Sequence, residues 1–314
     1  MKKTLQLLPF LAGWLVLLLS STLQTMGLVN GVLQMVLFLV VVCIPAQRTG
    51  RMSYVDIGWP WGLVVIGAVA VAGGVFHVFG GNGDPTRTLL VAAVYGLVGG
   101  RMGFFAVKLW RAGHLDRELP RYRYREVRWR RAGIENLALA RQVEILVQGL
   151  ANASYLAIPA FVIAANPESG LGFIELLGLA IALSALALET VADTQKARFI
   201  ARSKKAGERN QVCTDGLWRY SRHPNYFFEW MVWNGLIVMT LPSLPHLFRS
   251  ESLPIAVLVT AGLFYISRVM YQTLVYFTGA KPAEYFSVQK RPGYAEYQRT
   301  TNIFFPGPPR PAGE

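Results

Sequence analysis

Ser221-Arg222-His223-Pro224-Asn225-Tyr226-Phe227-Phe228-Glu229-Trp230 runs straight into Met231-Val232-Trp233-Asn234-Gly235-Leu236-Ile237-Val238-Met239, and that change of character decides the fold class. The first part is polar and ionisable and the second reads as membrane, so the junction is a border between water and lipid. Pro224 confines His223 to extended backbone and suits a first helical turn. A helix starting there puts Asn225 and Glu229, four residues apart, on one face. An acid inside a spanning helix is a functional candidate by default. Proline at the first turn also leaves neighbouring N–H groups free for an anion.

Composition extends the same reading outward. Of the 314 residues 53% are hydrophobic and only 16% charged, too apolar for soluble domains of this length. A spanning helix needs about 20 apolar residues, and eight stretches qualify: Leu5 to Ser21, Leu28 to Pro45, Val55 to Val78, Leu89 to Leu109, Val143 to Ala165, Leu171 to Ala192, Phe227 to Leu241 and Leu253 to Phe277. The expectation is an all-α, polytopic transmembrane bundle of seven to eight helices. The first stretch follows Lys2 and Lys3 like a signal peptide, but its length and the absence of a small-x-small cleavage site favour a retained helix.

The net charge of +13 is clustered. Basic residues fall at Lys2 and Lys3, at Arg48 and Arg51, from Arg111 through Arg141, from Lys196 to Arg209, and at Lys281, Lys290 and Arg291. The connections near Ser21 to Thr25, Gly80 to Thr88, Asn166 to Gly170 and Pro242 to Ser252 carry few. Eight crossings with both termini cytoplasmic satisfy the positive-inside rule at every loop. The basic loops then face anionic membrane lipid or an anionic ligand. No zinc-finger spacing or RNP-like run accompanies the charge, which argues against nucleic-acid binding. Cys43 and Cys213 read as free thiols, and the four histidines lie on separate segments without ligand spacing, so no metal site is expected.

Within the apolar helices a few groups stand out. Asp56 opens the third stretch, and Arg101 lies deep in the fourth. Glu189 and Asp193 are expected to close the sixth helix, where acids oppose the macrodipole and pair with the loop-like basic run after Lys196 or with a ligand. Gly58 with Gly62, Gly96 with Gly100, and Gly99 with Gly103 have the spacing of close helix packing. After the last helix, Arg291 to Pro306 interleaves aromatic and basic residues, as an interfacial belt or as a flap over a nucleotide base. Neither a Rossmann nor a P-loop fingerprint is present.

Three ordered motifs, Glu189 to Lys196, Gly216 to Trp230, and Tyr294 to Pro306, resemble the carboxyl-terminal domain of steroid 5-alpha-reductase-like membrane proteins. The resemblance covers the last third to half of the chain and divides it into 1–140, amino-terminal helices with a basic loop, and 141–314, the reductase-like domain with its tail. It implies a membrane reductase that takes NADPH from the cytoplasmic side and reduces a carbon–carbon double bond conjugated to a carbonyl in a lipid-like substrate. The membrane would be a bacterial inner membrane or the endoplasmic reticulum.

Asn225 and Glu229 match the family's N-Y-x-G-E element, which contacts nicotinamide, with Phe228 standing where that element has Gly. Asp193 matches the acid of the preceding helix, and Arg198 or Arg202 approximates a phosphate-contacting arginine. Arg222, His223, Tyr226 and Tyr297 complete the expected cofactor set. Asp56 and Tyr95 stand in for the catalytic carbonyl-polarising acid and tyrosine. Asp56 would act protonated, a state that burial away from water favours in carboxyls, or through Tyr54 or Tyr95. The alternative is an S-adenosylmethionine-dependent methyltransferase of the isoprenylcysteine or phospholipid type, which shares the R-H-P-x-Y element.

Overall fold

The computed structural model describes residues 4–78 and 82–311, so Lys2, Lys3 and Gly80 lie outside the described residues. It is helical, with no strand among the described residues. In chain order the helices are α1 (Thr4–Leu19), α2 (Gln24–Thr49), α3 (Val55–Gly74), α4 (Pro85–Arg111), α5 (Pro120–Arg131), α6 (Leu137–Ala164), α7 (Phe173–Lys205), α8 (Pro224–Ser250), α9 (Leu253–Lys290) and α10 (Tyr294–Thr300). Seven of them, α2, α3, α4, α6, α7, α8 and α9, are long and apolar enough to cross a membrane. At 1.5 Å per residue α1 spans about 24 Å, less than the roughly 30 Å hydrocarbon layer.

Two compact units divide the chain. Unit 1 comprises residues 1–119, 128–180 and 235–266; unit 2 comprises 120–127, 181–234 and 267–314.

In unit 1 the weakly basic connections meet. Glu251 accepts from the Ser20 hydroxyl at 2.7 Å, the Thr22 amide at 2.7 Å and the Thr22 hydroxyl at 2.6 Å. Asn166 Nδ2 donates to Ser243 Oγ at 3.1 Å, and the Asp84 amide donates to the Asn166 carbonyl at 2.9 Å. Arg87, buried, pairs with buried Glu175 at 2.5 Å and donates to the Glu168 and Gly170 carbonyls. A second group of contacts joins the 48–53 and 112–119 connections: Arg51 donates to the Leu115 carbonyl, and Glu118 accepts from the Met52 and Ser53 amides. Alternation of the two sets of connections is what successive crossings require.

The α3–α4 pair packs through its glycines. A Cβ on Gly99 would lie 2.4 Å from the Pro60 carbonyl oxygen, and one on Gly103 would lie 2.9 Å from the Trp61 indole. Gly96 has nothing within 4 Å of that position, so only part of the small-residue pattern is packing. Pro60 lies inside α3, which continues past it, and nearby carbonyls also accept hydrogen bonds from outside the helix. Asn152 Nδ2 donates to the Trp59 carbonyl at 3.0 Å and Gln34 Nε2 to the Gly62 carbonyl at 2.8 Å. Asn30, Gln34 and Asn152 are all buried, so these bonds replace water where none is near.

Three expectations change. The stretch from Val143 to Ala165 is broken at Ser154, whose φ of −116° and ψ of −104° leave the helical region before a 3-10 turn at Tyr155–Ala157. The run from Lys196 is helical, because α7 continues to Lys205. Asp193 is therefore three turns from the helix end, and the last turn holds Arg202, Lys204 and Lys205, the charges the macrodipole favours there. The 33-residue α7 reaches about 50 Å, longer than the hydrocarbon layer, so its basic end extends into water.

Candidate functional site

The quoted border stretch lies in unit 2, and α8 starts at Pro224. Asn225 and Glu229 consequently share a face one turn apart. Asn225 Nδ2 donates to Asp193 Oδ1 on α7 at 3.1 Å, while its Oδ1 is buried and accepts no hydrogen bond from the protein. Glu229 is buried one turn further along α8, and Glu189 is buried one turn before Asp193 on α7. Polar groups from two of the resembling motifs are thus brought together.

The loop before α8 is pinned to α7. Gln195 Oε1 accepts from the Leu217 amide at 2.9 Å, Trp218 donates to the Ala192 carbonyl at 2.9 Å, and Lys196 Nζ sits 4.3 Å over the Trp218 ring. Gly216 has φ +52°, and a Cβ there would lie 2.3 Å from Gln195 Nε2, so glycine is required on both counts. Cys213, a free thiol as expected, is fully buried, and burial pushes its pKa up.

Arg222 and His223 converge on Glu284. Arg222 forms a two-pronged pair with it, Nε to Oε1 at 2.7 Å and Nη2 to Oε2 at 3.1 Å, and His223 Nε2 lies 3.0 Å from Oε1. Gln298 Nε2 adds a bond to Oε2 at 2.7 Å. Arg222 Nη1 also donates to the Gln298 carbonyl at 3.0 Å and to the Thr301 carbonyl. Four of its five N–H groups are therefore taken by protein acceptors. The three side chains are each more than nine-tenths buried.

Burial pushes the His223 pKa down, against the pull of Glu284, and its ring stacks on Tyr226 with centroids 5.3 Å apart. The tail closes over this hub. The Arg222 amide donates to the Asn302 carbonyl at 2.8 Å, Ser221 Oγ to the Phe304 carbonyl at 2.9 Å, and Tyr297 to the Trp218 and Ser221 carbonyls.

Arg202 is placed at the surface, paired with Asp215 at 2.7 Å, and Arg198 is exposed one turn earlier on α7. Asp56 and Tyr95 belong to unit 1. Asp56 lies in the first turn of α3, partly exposed; Tyr95 is buried on α4 and donates to the Leu156 carbonyl at 2.6 Å. A Cβ on Gly67 would lie 3.3 Å from Tyr95, so Tyr95 sits beside α3 about eleven residues, roughly 16 Å, beyond Asp56. Asp56 does not act through Tyr95 at that separation.

Glu284 is the residue that sequence reasoning missed. Lys281 and Lys290 flank it and made it look like one acid of a basic tail; it lies in the helical segment Ala280–Lys290, which follows the last spanning segment after a break at Thr278 and Gly279. Among the described residues no group of three or more His, Cys, Asp or Glu is placed to hold a metal.

Helices long enough to span, buried polar pairs and loops joined at alternate ends define an integral multi-pass membrane protein. A family described as "Protein of unknown function (DUF1295)" matches residues 42–301; the chain belongs to that family, which is related to the steroid 5-alpha-reductase-like membrane proteins. No curated protein and no solved structure matches it.

Proposed function

We propose that this protein is a membrane-embedded reductase that uses NADPH from the cytoplasmic side to reduce a carbon–carbon double bond conjugated to a carbonyl in a steroid-like, isoprenoid or other lipid substrate. One observation carries the reading. Asn225, oriented by Asp193, holds a buried oxygen that accepts nothing from the protein, with buried Glu229 one turn further along the same face. A buried acceptor without a donor is costly, and a primary carboxamide such as that of nicotinamide offers an N–H donor to the Asn225 oxygen. The residues present therefore fit the group.

When bound, NADPH supplies a hydride, and the reaction also consumes one proton. Asp193 fixes which way the Asn225 amide points, and Asn225 and Glu229 would hold the nicotinamide carboxamide. Arg222, His223 and Glu284 keep the tail over the loop that begins α8.

The R-H-P-x-Y element is shared with methyltransferases, so the test must separate the two cofactors. Detergent-purified protein is melted with NADPH, NADH or S-adenosylmethionine; a ligand at a hundred times its Kd adds about 2.7 kcal/mol to the native state. NADPH is expected to raise Tm, and Glu229→Gln to remove most of that rise with little change in the ligand-free melt. Stabilisation by S-adenosylmethionine alone overturns the reductase.

A further inference from the structure

Unit 1 carries a feature that the proposed cofactor site does not use: an outward-facing groove of about 440 Å³ along the α3–α4 pair. Val64, Gly67 and Ala68 of α3 line it with Phe76 just beyond that helix, and Ala92 and Gly96 line it from α4. All eight lining residues are apolar. The volume lies within the roughly 300–1,000 Å³ of small-molecule sites.

The groove occupies one half of a membrane crossing. Val64 stands midway along the 20-residue α3, and the run from there to Phe76 rises about 18 Å, against about 15 Å for half of the hydrocarbon layer. On the other side of the midpoint the chain fills the same face itself. Trp61, one turn before Val64, meets Phe104, two turns after Gly96, edge to face with centroids 5.1 Å apart. Gly96 is a separate sign of an occupant. A glycine inside a helix is destabilising relative to alanine. Pro60 and Trp61 account for Gly99 and Gly103, whereas no atom lies within 4 Å of a Cβ at Gly96, and its φ is not positive. Its bare surface deepens the groove and serves no contact within the protein.

The medium against an outward apolar face of a spanning helix is lipid hydrocarbon, and Leu89 and Leu97 of α4 are exposed to it. A second copy of the chain fits less well, because a stable protein interface takes about 20–30 residues a side and the groove offers eight. We propose that the groove seats one fatty-acyl chain of a phospholipid from the leaflet at the Phe76 end, as a fixed part of unit 1. The proposal stands apart from the reductase reading and needs no cofactor.

The test places the full-length chain in phosphatidylcholine nanodiscs doped with a phosphatidylcholine that carries a diazirine on one acyl chain, and quantifies photolabelled peptides by mass spectrometry. Labelling across residues 64–76 and 92–97 is expected to exceed that at Leu176 and Leu177, exposed on α7, by about threefold or more. Gly96→Leu, which grows into open space, and Ala68→Leu on the other helix should each abolish the excess. In detergent, added phosphatidylcholine should raise the Tm of delipidated wild type, while Gly96→Leu melts at or above the lipid-free wild type and loses that rise. Equal labelling of the groove and of α7 in wild type reports a general lipid annulus only and overturns the proposal. An excess that both leucine variants leave intact also overturns it. Preferential labelling by a diazirine-bearing prenyl alcohol overturns the acyl assignment, and a dimer that Gly96→Leu dissociates, read by light scattering, overturns it in favour of a second copy.

Discussion

Glu284→Gln removes one charge from the centre of unit 2 while keeping the side chain's shape. The carboxylate receives Arg222 Nε and Nη2, His223 Nε2 and Gln298 Nε2, all within 3.1 Å, and it is 6% exposed. A glutamine there retains one acceptor oxygen and turns an NH2 toward groups that also donate. Breaking a buried ion pair from one side costs about 3–5 kcal/mol, because the remaining charge stays in a poorly solvating place. Arg222 cannot escape cheaply, since it also holds the Gln298 and Thr301 carbonyls and its own amide is tied to Asn302.

Two readouts follow. Thermal unfolding in detergent should shift down, by on the order of 2–4 °C for each kcal/mol, and limited proteolysis should cut the segment after Lys290 faster. Arg222→Met combined with Glu284→Met should cost less than the two single changes summed, the excess reporting the pair's coupling. A Glu284→Gln protein that melts and resists protease like wild type would refute the view that this carboxylate holds the tail.

Two further outcomes check the fold and its charges. Gly99→Ala should destabilise by about 1–3 kcal/mol, because its methyl meets the Pro60 backbone at 2.4 Å, whereas Gly96→Ala, with open space, should be near neutral in the same melt. His223 is held neutral by burial, with its folded pKa below the unfolded value near 6.5. Its contribution is therefore complete above that value and is lost as pH falls from about 6.5 through the folded pKa, with a slope of at most about 1.4 kcal/mol per pH unit. His223→Gln should flatten stability against pH in that window, which melts between pH 7.5 and pH 5 will show.

Much of this was legible in the residue order alone. Apolar stretches of spanning length fix an all-helical membrane protein, since only closed backbone hydrogen bonding survives in lipid, and Pro224 marks the start of the helix that puts Asn225 and Glu229 on one face. Alternation of basic loops anticipated which connections would meet. Local spacing carries this kind of information because it acts within one helix.

What lay outside it depends on residues far apart in the chain. Arg222 and Glu284 are 62 residues apart, and nothing in either segment's pattern names the other. The extension of α7 to Lys205, along which Ala192, Gln195 and Lys196 receive the 212–219 loop, was hidden by the look of a basic loop. The sequence by itself determined most of the apolar spanning stretches, their order and the polar face of α8. Only the tertiary structure decided that Arg222 serves the protein's own tail, that Asn225 keeps one oxygen open, and that Gly99 but not Gly96 is packed, because burial and hydrogen-bond satisfaction are properties of assembled surfaces.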